Sequence, residues 1–137
     1  MDDQLIAALR ATGRRVTMPR LLVHRCLQER NRHVTAEQVH AELAAQMPSL
    51  SAATVYETLD LLAELGLVRR VNTPRGATTY DSRVDDHHHV VCRECGRIED
   101  LEAMVDASAA ENAARAAGFA PDFAQLTVSG LCSSCRP

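Results

Sequence analysis

Four cysteines in two Cys-x-x-Cys pairs, Cys92 with Cys95 and Cys132 with Cys135, carry the plainest chemistry in this chain. Each pair sets two sulfurs on one side of a tight turn, and two such turns complete a tetrahedron. Zn²⁺ favours four thiolates in that arrangement, and a closed set of four makes the site structural. The 36 residues between the pairs leave room for a helix and a strand. A redox dithiol is the competing reading. A second cluster overlaps the first. His87, His88 and His89 stand just before Cys92 and make up three of the chain's six histidines. Along a strand, His87 and His89 share one face and His88 takes the other. Asp81 and Asp100 lie close by in sequence. Two imidazoles and two carboxylates are borderline-to-hard donors, suited to exchangeable Fe²⁺, Mn²⁺ or Zn²⁺. A solvated acidic, histidine-rich loop is the plainer alternative.

The bulk of the chain bounds what can hold these groups. It has 137 residues, 46% of them hydrophobic, with no Trp and only two Phe and two Tyr. The core must therefore be built from Leu, Val and Ala. No apolar run approaches the ~18 residues that a membrane span needs. The start, Met-Asp-Asp-Gln-Leu, lacks the basic and apolar regions of a signal peptide. These features predict a cytoplasmic protein with reduced thiols, which favours metal over disulfides. All 15 basic residues are Arg. Up to Val84 there are 11 Arg against 9 acidic residues; beyond it, 4 against 9. A mildly basic front half ahead of an acidic back half fits a nucleic-acid-binding domain followed by a sensing or assembly domain.

Helical spacing of apolar residues predicts four helices first. Leu5, Ile6 and Leu9 mark one over 2–11, with Gly13 as its stop. Thr17 caps a second, with Pro19 in its first turn and Leu22, Cys26 and Leu27 facing inward. His24 is expected at the surface. Asn31 to Val34 reads as a polar connection. Thr35 caps a third helix, whose inner stripe is Ala36, Val39, Leu43 and Met47, ending at Pro48. Ser51 caps a fourth, with Val55, Leu59 and Leu62 inward and Gly66 just past its end. Strands over 67–71 and 77–80 flank a turn at 72–76. Helices followed by a hairpin make a winged helix-turn-helix, in which 51–65 is the recognition helix. Its front offers Ser51, Ala52, Thr54 and Tyr56 for phosphate and base-edge contacts. Glu57, Asp60 and Glu64 on the same helix would repel DNA unless they face away. Beyond Tyr80 the pattern gives strands over 89–92 and 97–101, an Ala-rich helix over 103–117 and a strand over 124–130. The fold class expected is α+β: a winged-helix domain over 1–80 and a small α/β domain over 81–137.

Taken together, the Ser51–Tyr56 run S-A-A-T-V-Y, the His87–Gly96 run H-H-H-V-V-C-R-E-C-G and the terminal G-L-C-S-S-C resemble the Fur family of metal-dependent repressors, nearly end to end. The resemblance implies a homodimer that binds a palindromic double-stranded DNA operator and is not an enzyme. It implies that the α/β domain dimerises and that a regulatory metal at the hinge sets the angle between the DNA-binding heads. It carries the regulatory site onto His33, Asp81, His87, His89 and Asp100. His33 enters on the resemblance alone. It also implies that Tyr56 reaches bases, that Arg15 and Arg20 approach phosphates or the minor groove, and that Arg69 and Arg70 assist.

The all-aspartate carboxylate pair, Asp81 and Asp100, resembles the peroxide-sensing PerR branch. There, Fe²⁺ and peroxide oxidise an imidazole matching His33 or His87, and the operator is released; with Mn²⁺ the repressor stays insensitive. The alternative is an iron-responsive repressor of uptake genes. A zinc-dependent enzyme built on the His and Asp cluster is the rival from another class. A further site known in the family is not carried over, because its Glu and His positions are Ala107 and Ala124. Asp86, His88 and Glu111 are weak substitutes.

Overall fold

The computed structural model describes residues 2–30, 33–71, 73, 78–101 and 105–137. The expected turn at 72–76, Thr73 apart, the first residue of the 77–80 strand and the start of the 103–117 helix lie outside the described residues. The chain divides into two compact units, 1–72 with 77–84, and 73–76 with 85–137.

The first unit is built on helices α1 (Asp3–Ala11), α2 (Met18–Arg30), α3 (Ala36–Leu43) and α4 (Ala52–Glu64). Thr17 Oγ1 accepts from Arg20 N–H at the start of α2. Thr35 and Gln38 form a reciprocal capping box on α3, and Ser51 accepts from Thr54 N–H on α4. Each cap satisfies amides that would otherwise face the helix start unpaired. The core is aliphatic, as the composition requires: Leu5, Leu9, Val23, Leu27, Val39, Val55, Leu59 and Leu62 are buried together. Two details differ from the sequence pattern. The third helix stops at Leu43 and passes through turns towards Pro48. His24 is buried, not at the surface, and its Nδ1 meets no hydrogen-bond partner among the described residues.

A three-stranded antiparallel sheet completes this unit. Its strands are β1 (Val34–Thr35), β2 (Arg69–Val71) and β3 (Thr79–Asp81), in the order β1-β3-β2. β1 falls where the sequence reads as a polar connection. Two residues are too few to show alternation, so only their partner strand reveals them. Helices with this small sheet make the winged helix.

The second unit is a three-stranded sheet with one helix. β4 (His88–Cys92) lies in the centre, antiparallel to β5 (Ile98–Leu101) and parallel to β6 (Thr127–Gly130). Helix α5 (Ser108–Ala116) provides the crossover that a parallel pair requires. It has no buried residue, and Phe119, Phe123, Leu126 and Val128 also stand exposed.

Candidate metal centres

The four-cysteine cluster is assembled by the parallel pairing of β4 and β6. Cys92 ends β4 opposite Gly130, so the strand that leads into Cys132 and Cys135 runs beside the first Cys-x-x-Cys turn. Arg93 N–H donates to the Gly130 carbonyl at 2.8 Å and closes the two segments together. The first turn is held by Cys92 N–H to the Arg97 carbonyl at 2.8 Å and Gly96 N–H to the Cys92 carbonyl at 2.9 Å. Gly96 sits at φ 79°, a conformation that favours a residue with no Cβ. The second turn repeats the pattern, with Arg136 N–H donating to the Cys132 carbonyl at 2.9 Å.

All four sulfurs lie within 4.8 Å of one another, and no disulfide joins them. With Zn–S bonds of about 2.3 Å, a tetrahedral site has sulfurs ~3.8 Å apart. Cys95 Sγ and Cys132 Sγ are 3.8 Å apart. The donor set therefore fits Zn²⁺. Electrostatics point the same way. Backbone N–H groups of Cys95 and Cys132 donate to Cys92 Sγ and hold its thiol down at about 6. The adjoining Cys132 and Cys92 sulfurs push the Cys135 thiol up to about 12. Four crowded thiols cannot all ionise without a cation among them.

The histidine and aspartate residues fall into two groups, one in each unit. In the first unit His33, just ahead of β1, and Asp81, the last residue of β3, face each other, with Nε2 3.2 Å from Oδ2. Asp81 is buried, and its Oδ1 accepts from Arg83 N–H at 2.9 Å. In the second unit Asp100 stands opposite His89 in the β4–β5 register. Its Oδ1 is 3.6 Å from His87 Nε2 and 3.4 Å from His89 Nε2, and the two rings meet edge to face at 4.5 Å. Both imidazoles are buried. His87 Nδ1 lies 2.7 Å from the Asp85 carbonyl, which can only accept, so Nδ1 is the donor there and Nε2 is the nitrogen that faces Asp100. Imidazole nitrogen and carboxylate oxygen in this arrangement suit Fe²⁺, Mn²⁺ or Zn²⁺.

His88 has a separate task. Its Nδ1 accepts from Leu126 N–H at 3.0 Å and ties the segment ahead of β6 to β4. Glu111 lies on α5 within 3.7 Å of Arg115, and Ala107 caps that helix. Sequence reasoning passed over Gln125, whose Nε2 is 3.2 Å from His89 Nδ1. The pairing of 89 with 127 brings the two side chains together, and no local sequence signal announces it.

The expected DNA-contacting residues all belong to the first unit. Ser51 and Thr54 share their hydroxyls at 2.9 Å at the start of α4. Tyr56 OH donates to Glu37 of α3. Arg20 Nη1 donates to the Arg15 carbonyl at 2.6 Å. Arg20 and Thr54 line an open hollow of about 530 Å³ with Thr17, Pro19, Glu57, Thr58 and Leu61. Arg69 and Arg70 lie on β2, paired with Asp81 and Tyr80 of β3. Two of the three acidic residues of α4 pair with arginines at the surface. Asp60 accepts from Arg70 at 3.0 Å and from Tyr80 OH at 3.1 Å, and Glu64 pairs with Arg14 at 3.2 Å. No helix among the described residues is long and apolar enough to cross a membrane.

Comparison with known proteins agrees with this architecture. Ferric uptake regulation protein 1 of Mycolicibacterium fortuitum is 40% identical over 119 residues, 86% of this chain and 73% of its own. The peroxide-responsive repressor PerR of Staphylococcus epidermidis is 26% identical over 134 residues, 98% of this chain and 89% of its own. The crystal structure of the Campylobacter jejuni peroxide stress regulator superposes with a TM-score of 0.67 at 31% identity, covering 98% of this chain and 97% of that one. The family model of the ferric uptake regulators matches residues 11–129. The chain thus belongs to the ferric uptake regulator family and is a metal-dependent transcriptional regulator, not an enzyme.

Proposed function

We propose that this chain is a homodimeric repressor of the peroxide-sensing kind. It binds a palindromic double-stranded operator through the winged helix of 1–80 and dimerises through 81–137. Cys92, Cys95, Cys132 and Cys135 hold a structural Zn²⁺. His33, Asp81, His87, His89 and Asp100 together hold one regulatory Fe²⁺ or Mn²⁺, the first two contributed by one unit and the other three by the second. An ion bound by both groups links the units and biases the heads towards the DNA-binding arrangement. Tyr56 contacts bases, while Ser51, Thr54, Arg15, Arg20, Arg69 and Arg70 serve the backbone. The exposed Phe119, Phe123, Leu126 and Val128 support an interface in the second unit.

The observation that carries the sensing reading is the donor set itself. Three imidazoles and two carboxylates, all of them Asp, give a five-donor set with space for one exogenous ligand. Fe²⁺ bound there would activate hydrogen peroxide. The two oxidising equivalents of the peroxide would be spent on an imidazole C–H of His33 or His87, which would take up one oxygen atom while the other left as water. A ring so modified is a poor donor, so the ion is lost and the operator released. The second reading, an iron-responsive repressor of metal uptake, is favoured by the 40% identity to a ferric uptake regulation protein. Treating the Fe²⁺-loaded dimer with micromolar peroxide separates the two. Mass spectrometry should find one added oxygen on peptides carrying His33 or His87, together with loss of operator binding. Unmodified histidines and retained binding leave the iron-responsive reading.

A further inference from the structure

We propose that Gln125 is a positioning residue for the regulatory metal, because its side-chain amide decides which ring nitrogen of His89 carries the proton. His89 is enclosed between two partners. Its Nε2 faces Asp100 Oδ1 at 3.4 Å and its Nδ1 faces the Gln125 amide at 3.2 Å. A neutral imidazole has one N–H and one lone pair, so the two partners are coupled through the ring.

Two arrangements satisfy both contacts. In one, the Gln125 NH₂ donates to Nδ1, and the ring proton sits on Nε2, aimed at the Asp100 carboxylate. In that arrangement Nε2 carries the proton and cannot act as a ligand. In the other, the amide is turned by half a revolution. Its carbonyl oxygen accepts from Nδ1–H, and the Nε2 lone pair faces the lone pairs of Asp100. Two sets of lone pairs at that distance require a cation between them. His87 differs, since a backbone carbonyl accepts from its Nδ1 and fixes its tautomer. His89 is thus the ring with a choice, and Gln125 can serve both states because an amide offers a donor and an acceptor on one terminus.

The segment is built to hold Gln125 there. His89 N–H donates to the Leu126 carbonyl at 2.9 Å, and Leu126 N–H donates to His88 Nδ1 at 3.0 Å. Gln125 therefore enters β6 tethered at the next residue on both sides of its peptide.

The inference rests on the regulatory-site reading above, and its test separates the two. The probe is Mn²⁺, titrated into the full-length zinc-loaded chain and followed by the paramagnetic resonance of the free ion. Gln125→Met removes the amide from Nδ1 and weakens Mn²⁺ binding about 10–100-fold. Gln125→Glu, whose carboxylate only accepts, restores binding to the parent level or tighter. Nitrogen-15 spectra of the His89 ring without regulatory metal supply the second readout. The proton lies on Nε2 in the parent and on Nδ1 in Gln125→Glu. Asp100→Asn is the control. If it abolishes Mn²⁺ binding while Gln125→Met does not weaken it, the role of Gln125 is overturned and the metal site stands. If Asp100→Asn has no effect, the site itself falls and the inference with it. Equal weakening by both Gln125 variants with an unchanged tautomer reduces Gln125 to a structural residue and overturns the proposal.

Discussion

His33 and Asp81, 48 positions apart in sequence, are brought together by one two-residue strand. β1 pairs with β3 so that Val34 lies opposite Tyr80 and Thr35 opposite Thr79. Continuing that antiparallel register by one step sets His33 against Asp81, and Nε2 reaches Oδ2 at 3.2 Å. The capping box on Thr35 fixes the other end of β1 to α3, so the histidine is anchored from behind.

Removing either member of the pair should therefore cost metal without costing the fold. His33→Ala is expected to weaken Mn²⁺ binding by at least about 10–100-fold, the range that loss of a supporting group alone costs. Zinc content should stay at one per chain. Parallel measurement of both metals by atomic emission after dialysis against Mn²⁺ checks this. A variant that keeps its Mn²⁺ would remove His33 from the site.

The thiol cluster makes a prediction about protons. Metal ligands must be deprotonated, so zinc uptake releases whatever protons the thiols still carry. Cys92, held down at about 6, enters at pH 7.5 mostly as thiolate, while Cys135, pushed up to about 12, must give its proton away. Uptake by the zinc-free chain should release fewer protons than its four thiols could supply. Calorimetry in buffers of differing ionisation enthalpy reads that number directly. Cys92→Ser should lose both the zinc and the dimer; a stable zinc-free dimer would contradict the structural role.

How far the sequence reached depended on the range over which each feature is encoded. The helix caps at Thr17, Thr35 and Ser51 and the stops at Gly13 and Gly66 are local signals, and all of them act where they stand. The cysteine pairs are likewise readable from spacing. β1 was not, because two residues in a strand have no period and their pairing partner is remote. The burial of His24 escapes the sequence pattern for a related reason. α2 is weakly amphipathic, so its pattern does not tell which side is inward, and only packing against the rest of the unit decides. The task of Gln125 depends on a parallel strand crossover, which no local pattern announces.

The aliphatic core of the winged helix should respond to truncation as a tightly packed one. Leu62 of α4 is fully buried among the other leucines and valines. Leu62→Ala is expected to cost about 2–5 kcal/mol through lost burial and the cavity left behind. Urea unfolding followed by circular dichroism measures it. The zinc content should not change, because Cys92, Cys95, Cys132 and Cys135 belong to the other unit. A loss below about 1 kcal/mol would mean that this core relaxes freely, contrary to its packing.

His24 predicts how the first unit responds to acid. Burial pushes its pKa below the usual histidine value, and the nearby Asp2 carboxylate offsets this only in part. Asp2 is itself engaged by Arg25, with Nε 3.0 Å from Oδ1. The unfolded chain takes up a proton near pH 6.5 that the folded chain refuses. His24 therefore favours unfolding as the pH drops: its full stability is present above about 6.5 and is lost as the pH falls towards the depressed folded value. Replacement by an uncharged side chain of similar size, His24→Gln or His24→Leu, should flatten the stability profile below about pH 6.5. His24→Leu should also be tolerated at pH 7.5, since the ring it replaces leaves Nδ1 without a hydrogen bond among the described residues. Urea midpoints at a series of pH values, with parent and variants side by side, measure both effects. Parallel profiles for parent and variants would assign the acid sensitivity to other groups.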